Sequence, residues 1–144
     1  MKKSSKIRIG SIYDSYEFQE GTYIYIGSAM NSLIPRLNRH LSDEKKIHWH
    51  VDYLLANKNV AIEEIIFNIG EKRIECDLAK SIAKNGDEIP KFGCSDCNCN
   101  SHLIYFKKSK DGIKYTKKAY DNLSIDYHDL TYFNKLKTNK LKIN

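Results

Sequence analysis

Apolar and polar positions change period several times along this chain, and each change marks an element. Lys6–Tyr13 and Thr22–Gly27 are β-branched and aromatic runs that read as two strands, joined by an acidic-aromatic turn region over Asp14–Gly21. In the second run the period is two, so Tyr23 and Tyr25 share one face while Ile24 and Ile26 share the other. Beyond Gly27 the period becomes helical. Asn31 or Ser32 caps a helix to about Leu41, with Pro35 in its first turn and Leu33, Leu37 and Leu41 as a core-facing stripe. A second helical stretch opens at Ser42 or Asp43, includes His48–Leu55 and breaks at Asn57–Asn59. Isoleucine-rich Val60–Ile69 reads as a third strand. Glu71–Ala83 reads as a helix with Ile74, Leu78 and Ile82 on one face and Asn85-Gly86 at its end. A cysteine-bearing loop spans Pro90–Asn100. Ser101–Lys107 and Ile113–Thr116 then read as a hairpin turning at Asp111-Gly112, and a last basic helix runs from about Asp126 to Lys137.

These elements predict an α+β fold, a small antiparallel β-sheet flanked by helices over residues 1–106, with a basic C-terminal extension over 107–144. A chain of 144 residues buries about two-thirds of the surface it exposes when unfolded. No run approaches the ~20 apolar residues of a membrane span, and the basic start Met1–Lys6 lacks the apolar stretch of a secretory signal. A cytoplasmic, reducing location is therefore expected. Cys76, Cys94, Cys97 and Cys99 are expected as thiols or metal ligands rather than as a disulfide framework.

Charge alters the picture at one end only. Residues 1–106 hold 14 Lys/Arg and 14 Asp/Glu, whereas 107–144 hold ten lysines against four aspartates, which is the whole net charge of +6. Such a tail suits a polyanion, and a solvated lysine-coated surface accounts for it equally well. Tyr115, Tyr120, Tyr127 and Tyr132 either anchor the tail on the body or stack on unpaired bases.

Tyr25 ends a strand just ahead of Gly27, and Arg36, Arg39 and His40 stand at i, i+3 and i+4 of the next helix. Arg36 and His40 therefore point the same way. A tyrosine hydroxyl, a guanidinium and an imidazole delivered from two rigid elements suit a phosphodiester, because Arg grips phosphate and Tyr or His moves protons. Glu75 is a single carboxylate on a helix, the usual protein share of a Mg2+ site. His48 and His50 diverge by ~200° on a helix and cannot chelate one metal from it. Cys97, Cys99 and His102 lie in a stretch dense in soft ligands. The single-residue gap between the two cysteines is tighter than a usual zinc knuckle. A loop held by hydrogen bonds from Asp96 and Ser101 is favoured over Zn2+.

Tyr25-Ile26-Gly27-Ser28-Ala29, followed by Arg36-Leu37-Asn38-Arg39-His40-Leu41, resembles the second half of the GIY-YIG nuclease signature. Lys46–Leu55, Glu75–Ala79 and Phe92–Leu103 are similar to the Uri-type branch of that superfamily, so the likeness runs from about Ile7 to Tyr105. The family's opening Gly-x-Tyr strand has no clear counterpart. Ser11-Ile12-Tyr13 is the nearest substitute, which makes Tyr13 the stand-in for the first catalytic tyrosine. The resemblance implies a metal-dependent DNA endonuclease of DNA repair or processing, using Mg2+ or Mn2+. Carried over, Tyr25 supports proton transfer, Arg36 stabilises the phosphate, His40 stands nearby and Glu75 holds the metal. Arg39, Lys135, Lys137 and Lys140 are the expected DNA contacts. Two other readings stand beside it. One is a catalytically degenerate nucleic-acid-binding module, as a missing first strand would imply; the other is a zinc-stabilised interaction domain.

Overall fold

A computed structural model describes residues 1–2, 5–9, 13–27, 33–42, 50–68, 74–92 and 101–135. β1 (Ser5–Ile9) and β2 (Tyr13–Phe18) form an antiparallel pair whose register slips between Ile7 and Ile9. A second sheet has the order β3-β5-β4, all antiparallel, from β3 (Thr22–Tyr25), β4 (Asp87–Glu88) and β5 (Leu103–Phe106). Among the described residues four helices accompany them: α1 (Leu33–Leu41), α2 (His50–Leu55), α3 (Glu75–Ala83) and α4 (Ser109–Asn122). Residues 130–135 form a further helical stretch. The fold is α+β with a small antiparallel sheet, as the sequence predicts.

Three elements differ from expectation. The turn region Asp14–Gly21 is mostly strand, because β2 satisfies its backbone by pairing with β1. Its acidic residues disguise it; a two-stranded pair has only edges, and edges tolerate charge. Val60–Ile69 forms no strand over its described residues. It lies outside the sheet and makes one bridge, Phe67 to His128. The hairpin at Asp111-Gly112 is instead the helix α4. Its buried residues Gly112, Thr116, Ala119 and Tyr120 follow a helical stripe. Gly112 serves close packing rather than a turn, since a Cβ there would come within 3.1 Å of Ile24 Cδ1 and 3.3 Å of Thr22 Cγ2.

Strand alternation divides the core in two. On one face, Tyr23 and Tyr25 of β3 and Leu103 and Tyr105 of β5 pack with Phe18, Val51, Leu54, Ile89 and Phe92. On the other, Ile24, Ile26, Ile104 and Phe106 pack with Leu78, Ala79 and Ile82 of α3 and Ala119 and Tyr120 of α4. Thus α4, which lies beyond residue 106, builds the main core. A third cluster joins Leu37 and Leu41 of α1 to Ile65, Phe67 and Phe133. The polypeptide after α4 is tied to this cluster: Leu130 N donates to Glu64 Oε1 at 2.9 Å, and Asn68 Nδ2 donates to Asp126 O at 2.7 Å. Among the described residues no helix is long and apolar enough to cross a membrane.

Candidate active site

β3 and α1 present the first pair of candidate groups. Tyr25 occupies the last position of β3, opposite Leu103 of β5, and its ring folds back towards Gly27. A Cβ at Gly27 would sit 3.3 Å from Tyr25 Cε2, so the Tyr-Ile-Gly order leaves the ring just enough room. The half-buried Tyr25 ring meets His40 edge-on at 6.2 Å between centroids, and Phe92 likewise at 6.3 Å. Such T-shaped pairs favour one ring orientation over its alternatives. His40 stands in the last turn of α1, where a helix C-terminus favours a cation.

Arg39, the residue before His40, is held from the other side. Its Nη1 donates to Asp52 Oδ1 at 2.9 Å and its Nη2 to Asp52 Oδ2 at 2.7 Å, a bidentate fork across α1 and α2. Asp52 is fully buried, whereas the Arg39 side chain is 26% exposed. The hydrogen bonds to Asp52 raise the Arg39 guanidinium further above its ordinary range. Asp52 was not singled out in the sequence. Its signal is an acid within Val51-Asp52-Tyr53-Leu54, between two residues that bury.

The second pair sits at the start of α3. Glu75 opens that helix and is half-buried. Next to it, Cys76 Sγ lies 3.7 Å from Nε2 of the buried His102. His102 is pinned through its backbone: Ile26 N donates to its carbonyl at 2.9 Å, and its own N–H donates to Phe92 O at 2.8 Å. Burial holds the His102 imidazole below its usual range, with nearby Glu75 pulling the opposite way. Tyr25 and Ile26 at the end of β3, His102 ahead of β5, and Glu75 at the head of α3 thus gather at one end of the sheet.

Cys76 is disulfide-bonded, against the expectation of free thiols. It stands far in sequence from the other cysteines, so its approach to a second sulfur is visible only in the fold. The side chains of Tyr13 and Arg36 lie outside the described residues, as do Cys97, Cys99, Lys137 and Lys140. Lys135 is exposed. The basic face that the fold does display is on α4, where exposed Lys110, Lys114 and Lys118 recur every four residues. Among the described residues no three or more His, Cys, Asp or Glu gather closely enough to hold a metal.

A family model, the domain of unknown function DUF123, matches residues 1–125, and the chain belongs to that family. The match runs through α4, in keeping with that helix's place in the core. No curated protein and no solved structure matches the chain.

Proposed function

We propose that this protein is a metal-dependent DNA endonuclease of GIY-YIG, Uri-like type. The observation that carries the reading is the meeting of Tyr25 with His40, a strand-end tyrosine and a helix-end imidazole. Both rings can move a proton to or from a phosphate oxygen or water. Arg36, one turn before His40 on α1, supplies positive charge to the phosphoryl oxygens. Arg39 has its guanidinium in the Asp52 fork, so its part is to hold α1 in place rather than to grip DNA.

The residues fit a hard divalent cation. Glu75 offers a half-buried carboxylate, and Mg2+ needs only one or two from the protein because it keeps waters and takes phosphate oxygens. When bound, Mg2+ or Mn2+ neutralises charge on the phosphodiester and on the attacking oxygen.

The test is incubation of the purified chain with nicked, flapped and branched DNA, with and without Mg2+ or Mn2+. Wild type is expected to cleave at least one of them. Glu75→Ala and Arg36→Ala are expected to lose at least ~100-fold with the circular dichroism spectrum unchanged. Equal cleavage by wild type and Glu75→Ala removes the metal role from Glu75. Binding without cleavage by any form leaves the binding-module reading in its place.

A further inference from the structure

The structure separates the tyrosines that follow residue 106. Tyr115 stacks on Phe106 at 5.9 Å, Tyr120 is buried, and Tyr127 packs on Tyr120 at 5.4 Å, so these three belong to the core. Tyr132 differs: it is the one exposed large hydrophobic side chain among the described residues, at 36%. Its ring lies nearly parallel to that of half-buried His128, with 4.0 Å between centroids and 15° between planes. Buried Phe67 backs both rings, 6.1 Å from Tyr132 and 5.6 Å from His128. The main chain beneath the pair is fixed as well. Phe67 N donates to His128 O at 2.9 Å, and His128 N donates to Phe67 O at 2.8 Å. Asp129 Oδ1 accepts from Tyr132 N at 3.0 Å. The ring pair is therefore set before a ligand arrives, which spares the cost of ordering it on binding.

We propose that the stacked His128–Tyr132 pair is a platform for one unpaired base of a nucleic acid, with Lys135 against an adjoining phosphate. Every base has a flat π face, so a ring next to lysines takes a single strand without regard to sequence. Lys135 is exposed and follows Tyr132 by three positions in the helical stretch 130–135, which puts both on one side of it. Asp126 and Asp129 stand in the same segment, and the Asp129 carboxylate is engaged with the Tyr132 N–H. Across 107–144 the balance is ten lysines against four aspartates, which suits a polyanion. The inference rests on the reading that this chain acts on DNA, and it names the substrate class: DNA with a single-stranded part. The platform lies beyond residue 125, where the family match ends.

The test measures binding and not cleavage, with the full chain in EDTA, so that its failure is distinct from failure of the nuclease reading. A labelled oligothymidylate of about 15 nucleotides and a duplex of equal length are titrated at one salt concentration. Tyr132→Ala should weaken single-strand binding about 5- to 100-fold, the worth of one stacked base, and leave duplex binding within about 2-fold. Tyr132→Phe keeps the flat ring and should bind as wild type does. Tyr132→Leu keeps apolar bulk without a π face and should fall with Tyr132→Ala. Where Tyr132→Ala fails to fold, the Phe and Leu variants decide. Three results overturn the platform: no binding of oligothymidylate by wild type, equal losses on single strand and duplex, or single-strand binding by Tyr132→Leu equal to wild type. The last would leave the ring pair to a protein partner.

Discussion

The two faces of the central sheet are held by different forces. The face under α3 and α4 is aliphatic at its centre, where Ile24, Ile26 and Ile104 meet Leu78, Ala79 and Ile82, with the rings of Phe106, Tyr115, Tyr120 and Tyr127 in the same cluster, and what holds the aliphatic part is removal from water. That force has no direction, so such a face accepts any side chain of suitable volume. The opposite face is built of rings with polar ends. Tyr23 packs edge-on against Phe18 and donates its hydroxyl to Gln19 O at 2.8 Å. Tyr105 donates to Glu20 O at 2.8 Å, and Arg39 grips Asp52 at the edge of the same layer. Hydrogen bonds and ring edges do have direction. Tyr25 stands on the face where geometry, not volume, decides the structure, whereas Glu75 opens a helix of the other face.

Three measurements break or sharpen this contrast, and the largest concerns the fork. Arg39→Ala strands a fully buried carboxylate and should cost ~3–5 kcal/mol in urea unfolding. Asp52→Ala should cost less, because the partly exposed Arg39 can turn to water. A cost under ~1 kcal/mol for Arg39→Ala would make the fork no better than a surface ion pair and erase the contrast.

On the aliphatic side, Tyr120 is the polar intruder. Burial pushes its hydroxyl up to about 12, from the ordinary 10.0. The unfolded chain gives up that proton near pH 10 and the folded chain only near 12. The contribution is therefore whole below pH 10 and is lost as pH rises towards 12, by roughly 2–3 kcal/mol. Tyr120→Phe should flatten this part of the stability profile, and an unchanged profile would place the hydroxyl in water.

The smallest effect on stability concerns the outer side of α4. Lys110→Gln, Lys114→Gln and Lys118→Gln should leave unfolding within ~0.5 kcal/mol. Each should lower the log–log salt slope of DNA binding by about 0.7–0.9. The same exchange at Lys135 compares the helix with the tail. An unchanged slope in all four means that these lysines are merely solvated.

What could be read in the sequence follows the same division. The alternation Tyr23, Ile24, Tyr25, Ile26 and the stripe Ile74, Leu78, Ile82 are local periodicities, and both appear in the fold as read. Leu37 and Leu41 pack inward as predicted. Gly112 was misread because a glycine in a helix and a glycine in a turn look alike until Ile24 is placed against it. Asp52 escaped for the same reason, since it matters through Arg39 on another element, and Cys76, read as a thiol or metal ligand, was not placed beside His102. Local pattern carries no information about such partners.

Phe133 has a consequence for how the protein is made. It is fully buried against Phe67, in the cluster that also covers Leu37 and Leu41 of α1. A ribosome delivers α1 early and Phe133 some ninety residues later, at about 5–20 residues per second. During those seconds the leucines of the helix that bears Arg36, Arg39 and His40 have only Ile65 and Phe67 of that cluster's buried residues to pack against. The packing beneath the candidate site is thus completed only when Phe133 has been made.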